Sequence, residues 1–224
     1  MGKYGVSSIG GSTASSSFTS VPDEIYGSGQ DGNVTISSNT TLTRDMYYKN
    51  LTVADGVHLN TAGFKVFVRD SLSFSADVAN KATTSIGLKN GSSAVGTLSS
   101  GGLGSVTNSL GGASASYTVT APSPSEYFSL ARHAVAGYML SATQTTPLFL
   151  RGGAGDNTNH GGGVVVVCAR KVSGFGTIYA TGYSSGSYTT GGGVVVYVSQ
   201  AMRSSAVDVN VSGYASGTIK EFIV

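Results

Sequence analysis

The sequence predicts an all-β protein: a small β-solenoid, or β-helix, with glycine-rich loops, one amphipathic helix and an extended N-terminal arm. Three observations point there. Short alternating apolar runs (Val34-Thr35-Ile36, Leu51-Thr52-Val53, Val57-His58-Leu59, Phe64 to Val68, Leu72-Ser73-Phe74) follow one another closely, with Asn, Asp or Gly in the gaps. Hairpin sandwiches space their turn signals about 8–12 residues apart, whereas a chain that turns a corner after every short strand keeps them tighter. Glycine fills 33 of 224 positions while charged residues make up only 11%, a composition about twice as rich in glycine and less than half as charged as an ordinary domain. The third observation is a duplication. Gly161-Gly162-Gly163-Val164-Val165-Val166-Val167 recurs as Gly191-Gly192-Gly193-Val194-Val195-Val196-Tyr197, and Gly182-Tyr183-Ser184-Ser185-Gly186 recurs as Gly213-Tyr214-Ala215-Ser216-Gly217.

Each element then takes its place along the chain. Residues 1–30 are rich in Gly, Ser and Thr, with scattered apolar residues (Val6, Ile9, Phe18, Val21, Ile25, Tyr26) and no period; they read as an arm packed against something rather than a free linker. Residues 31–224 form the solenoid domain, opening at the turn signal Asp31-Gly32. A Gly/Ser-rich stretch of low complexity, about 76–118, reads as an excursion loop or as irregular coils. Residues 124–140 carry the helix. Ser123 is its N-cap, Pro124 its first position and Glu126 closes a capping box. Tyr127, Leu130, Ala131, Ala134, Val135 and Tyr138 make its apolar stripe, suited to covering an end of the solenoid. Two repeats of about 30 residues, 161–190 and 191–224, complete the domain; each reads as glycine turn, strand, turn, strand and Gly-Tyr loop.

Side chains alternate across a strand, so the valine runs have two faces. Val164, Val166 and Cys168, with Val194, Val196 and Val198, are uniformly small and apolar and read as the stacked interior. Val165, Val167, Val195 and Tyr197 then face outward. A strand apolar on both sides needs cover on both sides; a second copy of the chain or the helix 124–140 could supply it, and the second copy is preferred, making these four an interface. Tyr183, Tyr188 and Tyr214 lie in Gly/Ser loops at matching places in the repeats; stacking would gather them on one side as a recognition surface.

Little in the chain suggests chemistry. The net charge is +2 without a basic cluster, which disfavours nucleic acid. One cysteine excludes an internal disulfide. No apolar stretch approaches a membrane span and the first residues lack a signal peptide's apolar core. Carboxylates stand singly in turns (Asp31, Asp55, Asp70, Asp156); the one adjacent pair, Asp23-Glu24, points apart on an extended chain. Glycan cleavage needs two carboxylates facing one groove. His58, His133 and His160 lack ligand partners nearby, Cys168 follows four valines and reads as buried, and Gly152–Gly155 lacks the lysine of a phosphate loop. The expectation is a protein that is no enzyme and has no cofactor or metal.

Asp31-Gly32-Asn33-Val34-Thr35-Ile36, the run from Thr40 to Val53, and Gly56-Val57 through Phe64 to Val66-Phe67-Val68 resemble the opening of surface proteins of tailed-bacteriophage virions; the paired Gly-Gly-Gly-Val-Val-Val units resemble their later coils. Together these cover about half of the chain. The resemblance implies a β-helical, usually trimeric, structural protein on the outside of a virion, made in the host cytoplasm without a signal peptide. A homotrimeric capsid decoration (cement) protein, held by its arm on the major capsid protein, is the first expectation. The alternative is a receptor-binding tail fibre or spike, joined to tail proteins and touching host glycans through its Tyr/Ser/Gly loops. Phage adhesins with long polyglycine helices are a weaker match, since no glycine run exceeds three.

Overall fold

The computed structural model describes residues 25–89, 98, 101–107, 109–120, 151–185 and 187–223. Among them the regular structure is entirely β. In chain order the strands are β1 (Asn33–Ile36), β2 (Thr40–Thr41), β3 (Met46–Val53), β4 (His58–Asn60), β5 (Val66–Ser75), β6 (Ser85–Lys89), β7 (Val106–Thr107), β8 (Val119–Thr120), β9 (Val164–Thr181), β10 (Ser184–Ser185), β11 (Ser187–Tyr188), β12 (Val194–Ser199), β13 (Val207–Asn210) and β14 (Thr218–Ile223). The helix expected at 124–140 and residues 1–24 of the arm lie outside the described residues.

Two parallel ladders organise the molecule. One runs β1, β3, β5, β9, β12, β14 and the other β2, β4, β6, β9, β13, each in chain order. Successive strands of the winding fall on alternate ladders, so each turn of the chain lays one strand on each and the next turn lies beside it in parallel. The result is a nearly closed, solenoid-like parallel winding. β9 belongs to both ladders: it pairs with β5 through Phe175 and with β6 from Thr177. At that corner Gly174 has φ +81°, in the left-handed region that costs a residue with a Cβ about 1–2 kcal/mol, and a methyl there would overlap the Phe74 carbonyl.

The repeats stack as adjacent turns. Val194 lies beside Val164 and so on through Val198 beside Cys168, and Val207–Asn210 lie beside Gly176–Tyr179. Residues 85–89, expected within an excursion loop or irregular coils from about residue 76, instead form β6, which completes the third turn and buries Ile86 and Leu88.

The space between the ladders holds the larger core. Leu51, Leu59, Leu72, Ile86 and Ile178 are fully buried there, and so are Val165, Val167, Val195 and Tyr197. The expected assignment of the valine faces is therefore inverted. The row taken for an interface is interior, because Tyr197 and its neighbours belong to the same buried cluster as Ile178 and Leu59 of the second ladder. Val164, Val166, Cys168, Val194, Val196 and Val198 point the other way, into a second cluster with Tyr26, Phe67 and Leu98. The second row does need cover, and its own chain supplies it. Phe67 stacks flat on Tyr47 with ring centres 5.0 Å apart, and the Arg170 guanidinium lies 5.7 Å from the centre of the Tyr26 ring. With 0–1% of their surface exposed, Val165, Val167, Val195 and Tyr197 have nothing to offer a partner.

The end of the arm is pinned at the first turn. The Asp31 carboxylate accepts from Arg44 at 2.6 Å and from the Tyr47 amide at 2.7 Å. The hydrogen bond from Arg44 holds this carboxyl below its ordinary pKa.

Because both valine rows are interior to one chain, Val165→Asp and Val196→Asp should behave alike. Each buries an unpaired carboxylate at a cost of several kcal/mol, and circular dichroism should show the strand signal lost in both. A soluble, strand-rich Val165→Asp protein that had merely lost oligomers would restore the interface assignment.

Candidate functional site

Beside the winding, the glycine-rich segments build a second structure. Six short stretches, 101–104, 111–115, 152–155, 161–163, 190–193 and 213–217, lie against one another and exchange backbone hydrogen bonds. Gly102 donates to Gly153, Gly153 to Gly162, Gly162 to Gly191, and Gly191 to Ala154; Ala154 donates to Gly112, Gly112 to Gly192, and Gly192 to Ala215, at 2.8–3.1 Å. A β-strand has two neighbours in its sheet. The stretch 152–155 has four, bonding to 101–104, 111–115, 161–163 and 190–193. The arrangement is a bundle of extended segments bonded in several directions, as segments without internal hydrogen bonds allow.

Only glycine permits such contact. A methyl on Gly112 would overlap the Ala215 carbonyl; on Gly152, that of Gly162; on Gly191, that of Gly112; on Gly192, that of Val211; and on Gly217, that of Gly193. None of these five has a positive φ, so the requirement is closeness of backbones rather than a special dihedral. Gly152–Gly155, which the sequence likens to a phosphate loop only in glycine content, is one strut of this lattice.

The lattice feeds parallel strands and thereby gathers loops. Stretches 161–163, 190–193 and 213–217 lead into β9, β12 and β14, which run parallel. The loops entering them, 156–160, 182–190 and 211–214, therefore share one end. Thr190 ties two of the expected recognition residues together: its Oγ1 accepts from the Tyr183 amide at 2.6 Å and its carbonyl from the Tyr214 amide at 2.9 Å. Tyr214 is 60% exposed and Tyr183 half-buried. The backbone of Tyr188 pairs with Ser184 in the small β10–β11 hairpin; its side chain is outside the described set. In loop 156–160 the Asp156 carboxylate accepts from the Thr158 and Asn159 amides at 2.7 and 2.6 Å. Those bonds, the Thr158 amide foremost, hold its pKa far below the usual carboxylate range. The Tyr117 hydroxyl donates to Asn157 and His160 Nδ1 donates to the Gly101 carbonyl at 2.7 Å, closing the loop onto the lattice.

The residues weighed for chemistry are each engaged locally. Asp55 accepts from Asn80 and Thr84, and Asp70 faces Arg69 at 3.4 Å. His58 stacks on Tyr179 and shares a 2.8 Å hydrogen bond with its hydroxyl. Burial pushes the Cys168 thiol up to about 12, well outside the range of a reactive thiolate. Among the described residues no three His, Cys, Asp or Glu side chains come together as a metal site. His133, Asp23 and Glu24 lie outside the described residues.

Sequence reading misses the lattice and the contact of Tyr117 with Asn157. Run length is the wrong measure of a glycine lattice: many short segments side by side serve as well as a few long ones. The readable signal is glycine clusters such as Gly111-Gly112 and Gly152-Gly153, which lack the Asn or Asp partners of ordinary turns.

No family model, curated protein or solved structure matches this chain.

The two kinds of glycine separate by substitution. Gly192→Ala, which drives a methyl into the Val211 carbonyl, should lose about 3 kcal/mol, at the upper end of overpacking costs. Gly56→Ala, with φ +68° and open space around it, should lose only about 1 kcal/mol, the cost of a left-handed residue. Denaturant unfolding of the two variants reads the difference.

Proposed function

We propose that the chain is a small β-solenoid that works as a non-enzymatic protein on the surface of a bacteriophage virion, assembled as a homotrimer, and that its task is recognition at the lattice end. The virion, phage and trimer parts rest on the resemblance of Asp31–Val68 and of the duplicated glycine-valine units. The observation that carries the recognition part is the glycine lattice itself. It invests six backbone segments in holding loops 156–160, 182–190 and 211–214 at one end, where Tyr214 stands exposed and Tyr183 is bonded to the same residue. Such a scaffold has low conformational freedom, so its loops lose little entropy on binding, and tyrosines in Ser/Gly surroundings give rigid contact area with adaptable hydrogen bonding. A host-surface glycan or protein fits that chemistry.

Beside the arm, an apolar valine flank would be the surface that a cement protein offers to neighbouring subunits. That flank packs inside its own chain, which withdraws the support for choosing shell over tail. Capsid decoration remains the competing reading through the arm.

The measurement is the adsorption rate of virions carrying Tyr183→Ala, Tyr188→Ala and Tyr214→Ala together. Adsorption should fall at least tenfold, corresponding to about 1.4 kcal/mol of lost binding, with intact particles. Unchanged adsorption with weakened capsids would move the protein to the shell.

A further inference from the structure

The outer face of the second ladder is built from polar residues around one aromatic ring. Leu59, Ile86, Ile178 and Val209 turn inward from β4, β6, β9 and β13, so strand alternation sets their neighbours outward. Across the parallel register, Asn60, Gly87, Tyr179 and Asn210 form one row on that face, and His58 stands in the row beside it.

Tyr179 lies down along this face. A Cβ on Gly87 would sit 2.9 Å from the Cγ at the root of its ring, and its hydroxyl meets His58 on β4, one strand further on, at 2.8 Å. The two rings stack with centres 5.2 Å apart. The missing side chain at Gly87 is what lets the ring cross β6. Tyr179 is half-buried, so part of it stays open to solvent while the hydroxyl contact fixes its position.

The asparagines on either side repeat one device. Asn60 Oδ1 accepts from the Ala62 amide and Asn210 Oδ1 from the Ser212 amide, both at 2.9 Å. Each is an Asx turn, closed by the side-chain oxygen on the backbone two residues on. The turn uses only that oxygen. Among the described residues neither NH2 group donates to the protein. Asn60 is half-buried and Asn210 exposed. Three ladder steps of about 4.8 Å set these two residues roughly 14–15 Å apart, with Tyr179 between them. The row carries no charged residue, and beside it Lys81 and Asp208 neutralise one another at 2.8 Å.

We propose that this row is a binding site for a neutral glycan chain laid across the strands, one sugar ring on Tyr179 and its neighbours' hydroxyls accepting from Asn60 and Asn210. A pyranose has an apolar C–H face and a rim of hydroxyls. The face packs on an aromatic ring, and the rim takes amide donors. An acidic polysaccharide would bring charge that nothing in the row balances. A peptide added as a strand needs an open edge, and β4, β6 and β9 are each paired on both sides here. The Asx turns hold both amides in place before a ligand arrives, so little freedom is lost on binding. The site is built on the winding and uses none of Tyr183, Tyr188 and Tyr214, so it goes beyond recognition at the lattice end.

Saturation-transfer NMR on the full-length protein tests this with gluco-, galacto- and manno-hexaoses, and with a hexauronate as the acidic control. At least one neutral hexaose should receive saturation and the hexauronate should not. Asn60→Asp with Asn210→Asp keeps both turn-forming oxygens, so circular dichroism should match the wild type. Affinity for the hexaose should nevertheless fall at least tenfold in that variant, and also in Tyr179→Ala. The Tyr183→Ala, Tyr188→Ala, Tyr214→Ala variant should bind the sugar as the wild type does. Failure of every neutral hexaose to bind, or equal binding of the hexauronate, would overturn the proposal without touching the adsorption result expected of the lattice-end tyrosines. Unchanged affinity in the folded asparagine double variant would overturn it too, since a purely structural asparagine tolerates that exchange.

Discussion

Backbone hydrogen bonding between neighbouring segments, with no help from helices, is the interaction on which the described structure depends. In the winding it pairs each turn with the next in parallel; in the lattice it links six extended segments in several directions at once. Both arrangements satisfy buried N–H and C=O groups that would otherwise each cost a large desolvation penalty. Both also demand that chain segments approach closely, and this one demand accounts for much of the composition. Strands packed on two sides call for small β-branched residues, hence the valine runs. Segments packed on four sides leave no room for a Cβ, hence glycine at 112, 152, 191, 192 and 217.

The two structures share strands, and this gives the molecule its polarity. β9, β12 and β14 begin where lattice segments end, so the lattice is anchored by the same residues that bury Val165, Val195 and Tyr197. A loop fed by such a segment is positioned by the same backbone hydrogen bonds that frame the core. That is why Thr190, at the entry to the stretch before β12, can hold the amides of Tyr183 and Tyr214 together although these residues are distant in sequence. The opposite situation occurs after β12, where the chain leaves the ladder at Gln200, beside a cavity lined by Lys171 and Tyr197.

Charge has a limited part. The Asp31–Arg44 pair pins the entry to the first turn, and Lys81 reaches Asp208 at 2.8 Å across the second ladder. Exposed ion pairs of this kind contribute roughly 0–1 kcal/mol, so they steer loops more than they hold the fold. Asp156 shapes its own loop through amide hydrogen bonds, which serve geometry rather than proton transfer.

Much of the winding is legible in the residues alone. The tight spacing of Val34–Ile36, Leu51–Val53, Val57–Leu59 and Leu72–Phe74 specifies short strands with corners between them, because apolar alternation and turn residues act locally. The glycine-valine duplication specifies stacked turns, since identical units pair best in register. Which valine row faces inward was decided only by the tertiary structure: both rows are apolar, and strand alternation says that two faces differ without saying which one meets Ile178 and Leu59. The strand at 85–89 was hidden for the same reason, because Ile86 and Leu88 become core only when β9 lies beside them. The glycine lattice is the clearest case. A glycine chosen for a turn and a glycine chosen to let Val211 or Gly162 come close are the same letter, and only the arrival of the other backbone distinguishes them.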